Sequence, residues 1–371
     1  MALSTFDRGV WRSTKRLYSL ARRVRLAFTR AQRATPETIG QVDRILLIRT
    51  DKIGDAIIST AFFKALRDHF PNAQIDIVLG RKNAAAASLL PHLDGVFIAR
   101  KNLIEQARLI RQLRERNYDV VIDMLTGDSM TAAAYAVLAG ARLKIGFDDD
   151  GTGLYDVPVP RAREPEHQAV QMLRLIAPLQ VSARPEDIRP IVVFPKALAD
   201  RIRERLAQPD QGKQKVVIIN LSVDPIRYWT DENFIRLIGD IKSPSVRVVL
   251  VSAPWDLARL EAMAKTAEVD WLPPSNDIAE TAAALSCADL VISPDTSIVH
   301  IAAALSKPVA TLMASYAANG QWYPFGVTYR ALHCATRVAD IPYDEVLAAV
   351  RELLAGLDSA QPVPSTDKVV S

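Results

Sequence analysis

Cysteine is nearly absent. The 371 residues contain two, Cys287 and Cys334, far apart and without metal-ligand spacing. A disulfide framework is therefore excluded, and a reducing compartment is expected. Long apolar runs are missing as well. The longest lies near Ala132–Ala141, well short of the roughly 20 residues that span a bilayer. No uninterrupted apolar segment follows the basic N-terminus, so no secretory signal is expected. Neither a Walker A sequence nor G-x-G-x-x-G is present. Asp148-Asp149-Asp150 opens like a calcium loop but lacks the spaced glutamate, so it reads as a solvated turn before Gly151-Thr152-Gly153.

Against these absences stand a large apolar fraction and an uneven charge. Nearly half the chain is apolar, enough for a sizeable core, and its length suits two domains. Residues 1–34 hold nine cations against the single Asp7, a net of +8, so the other 337 residues carry −4 of the overall +4. Within this arm, residues 8–30 place Val10, Leu17, Leu20, Ala21, Val24 and Phe28 at helical spacings between arginines. Such a helix suits an anionic membrane surface; the bland alternative is an arm packing a few apolar residues on the body. No nucleic-acid partner is expected, because no binding motif accompanies the charge.

Beyond a Pro36-containing linker, strand and helix patterns alternate. Strands are expected at 44–49, 74–79, 95–98, 119–123 and 143–147, with helices at 55–69, 102–116, 129–139 and 166–178. A second series starts at Val216, with strands also at 246–251, 269–272, 289–293 and 308–313. Its helices are expected at 231–241, 256–267, 277–286, 297–305 and 342–355. The alternation predicts an α/β fold with two Rossmann-like domains facing a central cleft. The divisions are 1–40 (arm and linker), 41–207, 208–358 and a disordered tail, 359–371.

Two stretches carry chemistry. In "RTDKIGDAII", from Arg49, the chain leaves a buried strand, passes Asp51 and Gly54-Asp55, and enters a helix at once. That places two carboxylates at the carboxyl end of a first strand, where open α/β sheets bind ligands. Either aspartate is a candidate base, and either can instead cap the helix. In "DLVISPDTSIVHIAAALSKPV", from Asp289, a buried strand meets Asp295, Thr296 and Ser297, all N-cap types, with His300 one turn along. A helix start with free N–H groups and two hydroxyls offers an anion site suited to pyrophosphate; the bland alternative, which this block taken alone favours, is ordinary capping with His300 a satisfied core histidine.

The combination resembles glycosyltransferase family 9, the heptosyltransferases of the lipopolysaccharide inner core. Gly54-Asp55 matches the family's Gly-Asp entering the first helix. Asp295-Thr296-Ser297-Ile298-Val299-His300, then Ala302-Ala303-Ala304 and Lys307-Pro308, matches its Asp-Thr-Gly-x-x-His block. Arg227-Tyr228-Trp229 matches a basic residue followed by an aromatic and Trp. The resemblance spans roughly residues 43–356 at motif level.

It implies a GT-B fold, with the acceptor on the N-terminal domain and the nucleotide-sugar on the C-terminal one. Carried over, Asp55 is the general base, with Gly54 and Asp51 beside it in the acceptor loop. Arg227 and the amides of Thr296 and Ser297 hold the donor diphosphate, and Asp295 and His300 shape that pocket. The implied reaction is an inverting transfer of heptose from ADP-heptose to a lipid A-linked core acceptor. It uses no metal and no cofactor and takes place on the cytoplasmic face of the inner membrane. Two positions depart from the pattern: Ser297 stands where the family has glycine, and Arg227 where some members have lysine. The alternatives are another nucleotide-sugar donor, or a non-catalytic membrane-docked nucleotide-sugar-binding protein.

Overall fold

The computed structural model describes residues 35–37, 39–100, 102–127, 129–207, 214–222, 227–314, 320–358 and 366–370. The amphipathic arm expected at 8–30 lies outside the described residues, as do residues 208–213 of the polar stretch Gln208–Gln214, where the sequence places the link between the domains. Among the described residues no helix is long and apolar enough to cross a membrane.

Two parallel sheets organise the chain. The first contains β1 (Arg44–Arg49), β2 (Gln74–Leu79), β3 (Gly95–Ile98), β4 (Val120–Asp123), β5 (Leu143–Phe147) and β6 (Val157–Val159), in the order β3-β2-β1-β4-β5-β6. The second contains β7 (Lys215–Asn220), β8 (Val246–Val251), β9 (Asp270–Trp271), β10 (Leu290–Pro294), β11 (Val309–Leu312), β12 (Tyr329–Cys334) and β13 (Thr366–Val370). Its order is β13-β12-β11-β10-β7-β8-β9. Both are doubly wound, so each has a crevice where the strand order reverses: between β1 and β4 in one, between β7 and β10 in the other. Helices cover both faces of such sheets, which is why Ile45–Ile48 of β1 is wholly buried and reads as one apolar run.

The helices are α1 (Ile53–His69), α2 (Leu103–Glu115), α3 (Met130–Leu138), α4 (Gln168–Ile176), α5 (Lys196–Leu206), α6 (Asp231–Ile241), α7 (Leu257–Ala267), α8 (Ile278–Ser286), α9 (Ser297–Ala304) and α10 (Tyr343–Gly356). α1 leads directly from β1 and buries Ala56, Ile57, Phe62, Phe63 and Leu66. It also packs against α9, and α5 packs against α8, so helices of the two series join the sheets. Polar ties add to this contact. Gln168 N–H donates to Gln321 O at 3.0 Å, and Arg189 Nη1 donates to Gly326 O at 2.9 Å.

The expected two-domain α/β architecture is present, and the strands of the first sheet fall within a residue of their expected limits, apart from β6. Three strands were not anticipated. β6 has only three residues. β12 is interrupted by Arg330 and His333, yet both are buried and partnered: Arg330 Nε donates to Glu352 Oε2 at 2.8 Å, and His333 Nε2 meets Tyr323 Oη at 3.3 Å. The tail, expected to be disordered, instead contributes β13, which pairs in parallel with β12 from Arg330↔Thr366 to Cys334↔Val370. The open N–H and C=O row of β12 gives this short β-branched segment a partner that local composition does not reveal.

Candidate active site

At the end of β1 the backbone turns through Thr50–Lys52 into α1, whose N-cap is Lys52. Asp55 is therefore the third helical residue, not the cap. Its Oδ2 reaches back to accept from Lys52 N–H at 3.2 Å, and its Oδ1 accepts from Arg49 Nη2 at 3.3 Å. Asp51 does not cap the helix either. Its Oδ1 lies 3.2 Å from Arg49 Nε, and its side chain keeps 27% exposure. Burial pushes the Asp51 carboxyl up to about 6 against the pull of Arg49, and the Asp55 charge adds to the rise.

Arg49 links these groups. It is fully buried, and its Nη1 donates to Met124 O, just past the end of β4. Asn83 Nδ2 donates to Arg49 O at 2.8 Å, while Asn83 Oδ1 accepts from Gly80 N–H at 2.7 Å. The β2 loop is thereby fixed to the same strand end. Across the crevice Asp123 accepts from Tyr155 Oη at 2.7 Å and from Leu125 N–H at 3.1 Å. Burial raises its carboxyl to about 6 against those bonds.

The second crevice is built on an amide and two hydroxyls, with one ion pair beside them. Asn220 ends β7 and donates from Nδ2 to Ser293 Oγ at 3.1 Å and to Thr296 Oγ1 at 3.4 Å. Thr296 caps α9, its Oγ1 accepting from Ile298 N–H at 3.3 Å. Ser297 is the first residue of α9, and its φ is not positive, so a side chain replaces glycine there without backbone strain. A helix start leaves its first N–H groups unused by the helix itself, and the dipole favours an anion there. Arg227 Nη1 donates to Asp295 O at 2.6 Å and to Asp295 Oδ2 at 3.1 Å, which holds the guanidinium at the same helix start. The following aromatics anchor its loop. Tyr228 lies under the Arg259 guanidinium, and buried Trp229 donates from Nε1 to Ile341 O at 3.1 Å.

The two crevices meet at Gly54. A Cβ there would stand 2.6 Å from His300 Cδ2, a separation that real Cβ atoms do not show. Gly54 is thus required by close approach of the imidazole. Burial holds His300 down to about 4, so the ring is neutral at ordinary pH; the Asp295 charge opposes the fall only partly. His167 is also lowered to about 4 by burial; its Nε2 lies 2.9 Å from Tyr323 O.

The structure brings Gly54 and His300 into contact, joins Asp51 and Asp55 through Arg49, and sets Arg227 on Asp295 beside Thr296 and Ser297. Asp148 and Asp149 stay out of the site: Asp148 accepts from Thr152 N–H at 2.9 Å and Asp149 from Arg161 N–H at 2.7 Å, which fixes their turn. Trp322 and Tyr323 pack into apolar clusters. Arg49, Asp123 and Asn220 were not singled out from sequence. Each is a polar residue ending an apolar parallel strand, and that position is the signal that could have found them.

Comparison with known proteins agrees with this geometry. Residues 106–337 match the model of glycosyltransferase family 9 (heptosyltransferase). The chain is 25% identical over 350 residues to lipopolysaccharide heptosyltransferase 3 of Escherichia coli strain K12, covering 85% of this chain and 98% of that one. Among solved structures, a family 9 glycosyl transferase from Veillonella parvula superposes with a TM-score of 0.72 at 17% identity, over 84% of this chain and 97% of that one. An E. coli heptosyltransferase with ADP-2-deoxy-2-fluoro heptose gives 0.67 at 20% identity, over 83% and 99%. These two show the shared GT-B fold.

Proposed function

This chain belongs to glycosyltransferase family 9 (heptosyltransferase) and is a glycosyltransferase, and we propose that it moves heptose from ADP-heptose to a lipid A-linked lipopolysaccharide core acceptor, with inversion and without a metal ion. The observation that carries this is the Gly54–His300 contact, which sets a carboxylate loop of the first sheet against an anion-binding helix start of the second. The relatives named as lipopolysaccharide heptosyltransferases support the sugar and the acceptor class.

In this scheme residues 41–207 receive the acceptor and 208–358 the donor. Asp55 takes the proton of the acceptor hydroxyl as that oxygen attacks the anomeric carbon. The bond from that carbon to the diphosphate breaks, and ADP leaves. Arg227, the hydroxyls of Thr296 and Ser297 and the N–H groups at the start of α9 stabilise the charge gathering on the leaving diphosphate. The basic arm holds the enzyme peripherally on the cytoplasmic face of the inner membrane, where soluble donor and lipid-linked acceptor meet.

The test is transfer by the purified full chain from ADP-heptose to core acceptor isolated from a heptose-deficient strain, read by mass spectrometry. One added heptose, undiminished by chelator, is expected. Transfer only from a different nucleotide-sugar would replace the donor, and a manganese requirement would overturn the metal-free scheme. Vesicle sedimentation addresses the arm: deletion of residues 1–34 should abolish most binding to anionic vesicles and leave transfer to a detergent-dispersed acceptor.

A further inference from the structure

We infer that Arg49 is a positioning residue of the transfer reaction: its single buried guanidinium aims Asp55 and is shared, as charge, with Asp51, and so governs whether Asp55 is ready to accept a proton. The inference rests on Asp55 as the base.

The three nitrogens of Arg49 are not used alike. Nη1 and Nη2 donate to Met124 O and to Asp55 Oδ1. Nε lies 3.2 Å from Asp51 Oδ1, close enough for charge attraction but not aligned, and both atoms lack a hydrogen-bond partner. Asp55 is thus held in direction by Arg49 Nη2 and Lys52 N–H, while Asp51 meets Arg49 as charge alone. Both bonds to Asp55 are long, at 3.3 and 3.2 Å, so its oxygens keep acceptor capacity for a substrate hydroxyl.

The charges facing this point come from several elements. Asp51 and Asp55 share the loop and α1, and Asp123 approaches from the end of β4 close enough to feel both Arg49 and Asp51. His300 of α9 lies against Gly54, and His167 precedes α4; both are neutral. One buried cation therefore serves three carboxylates. Removing it takes away the guanidinium that bonds Asp55 while Asp51 and Asp123 remain, and removing Asp51 leaves Asp55 a larger part of that cation. The two changes alter the charge around Asp55 in opposite senses.

The experiment compares the acid limb of kcat/KM, which reports the base in the free enzyme, for wild type, Arg49→Gln, Arg49→Lys, Asp51→Asn and Asp55→Asn. Arg49→Gln is expected to move the limb to higher pH by about 1–3 units. Arg49→Lys should leave the limb near wild type while lowering kcat, because lysine keeps the charge but not the planar fork. Asp51→Asn should move the limb to lower pH. If the limb stays fixed in all three while activity falls, Arg49 is only a brace between β1 and β4 and the inference is overturned. Should Arg49→Gln fail to fold, as judged by its melting curve, the opposite displacement in Asp51→Asn decides the matter alone. Normal turnover in Asp55→Asn would instead overturn the assignment of the base.

Discussion

The two crevices share one topology and differ in what fills them. Where β1 meets β4, the filling is ionic: Arg49 against Asp51, Asp55 and Asp123. Where β7 meets β10, it is an amide and two hydroxyls, Asn220, Ser293 and Thr296, and the nearby carboxylate Asp295 is answered by Arg227. A doubly wound sheet supplies the crevice, but the residue that ends each central strand decides its chemistry. Carboxylates gathered around one buried guanidinium suit a place that must take up a proton. A helix start lined by an amide and hydroxyls, its one carboxylate paired with Arg227, suits a place that must receive an anion.

The largest expected effect tests the ionic half. Asp55→Asn should lower turnover by about two to four orders of magnitude, the scale of general-base catalysis, with donor affinity unchanged. An equal loss of donor binding, measured by calorimetry, would place Asp55 in the anion half and erase the division. Next comes Arg227→Ala, which should weaken nucleoside diphosphate binding about 10- to 100-fold, as for a lost charged hydrogen bond. Nucleoside binding should change much less; equal loss of both would place Arg227 away from the diphosphate.

The contact between the halves has its own test. Gly54→Ala should destabilise the protein by about 1–3 kcal/mol through overpacking on His300. The double variant Gly54→Ala/His300→Ala should be more stable than the sum of the single changes predicts, because the clash is gone. Strict additivity in denaturant melts would show that the two residues do not touch in solution.

The smallest effect concerns acid. His300 and His167 fall from an ordinary 6.5 to about 4 in the fold, so the stability they contribute is present above pH 6.5 and lost as pH falls through about 4. Asp51 and Asp123 rise from 3.8 to about 6, so their contribution is full below pH 3.8 and lost as pH rises through about 6. Acid therefore loosens the histidine contacts and relaxes the carboxylate crevice. His300→Gln should reduce the drop in Tm between about pH 7.5 and about pH 5 by about 2–4 °C. An unchanged drop would show that His300 takes up its proton in the folded state as easily as in the unfolded one.

Much of this architecture was legible from the chain. Strands buried on both faces appear as apolar runs such as Ile45–Ile48, and Thr296 stood out as an N-cap type before the helix it caps. The Asp295–His300 block could be read as a candidate anion site because its parts are adjacent in sequence. Arg49 was passed over although Asp51 and Asp55 lie close to it in sequence: locally it is a charge at the end of a run, and its anchor, Met124 O, lies past the end of a distant strand. The need for glycine at position 54 was equally hidden, since His300 meets it only after both domains fold and pack. β12 was missed because Arg330 and His333 look exposed until Glu352 and Tyr323 are placed beside them.

The pairing of β13 with β12 has a consequence for handling the protein. β12 is six residues long, buried along nearly its whole length, and among the described residues the strand that pairs with its outer side is the tail segment. Cutting the chain after Asp358 would present that strand as a bare template to other copies, and such edges drive self-association. Shortened versions of the protein should accordingly precipitate or form oligomers at concentrations where the full chain stays dispersed. An affinity handle fused directly behind Val370 would compete with the same covering segment.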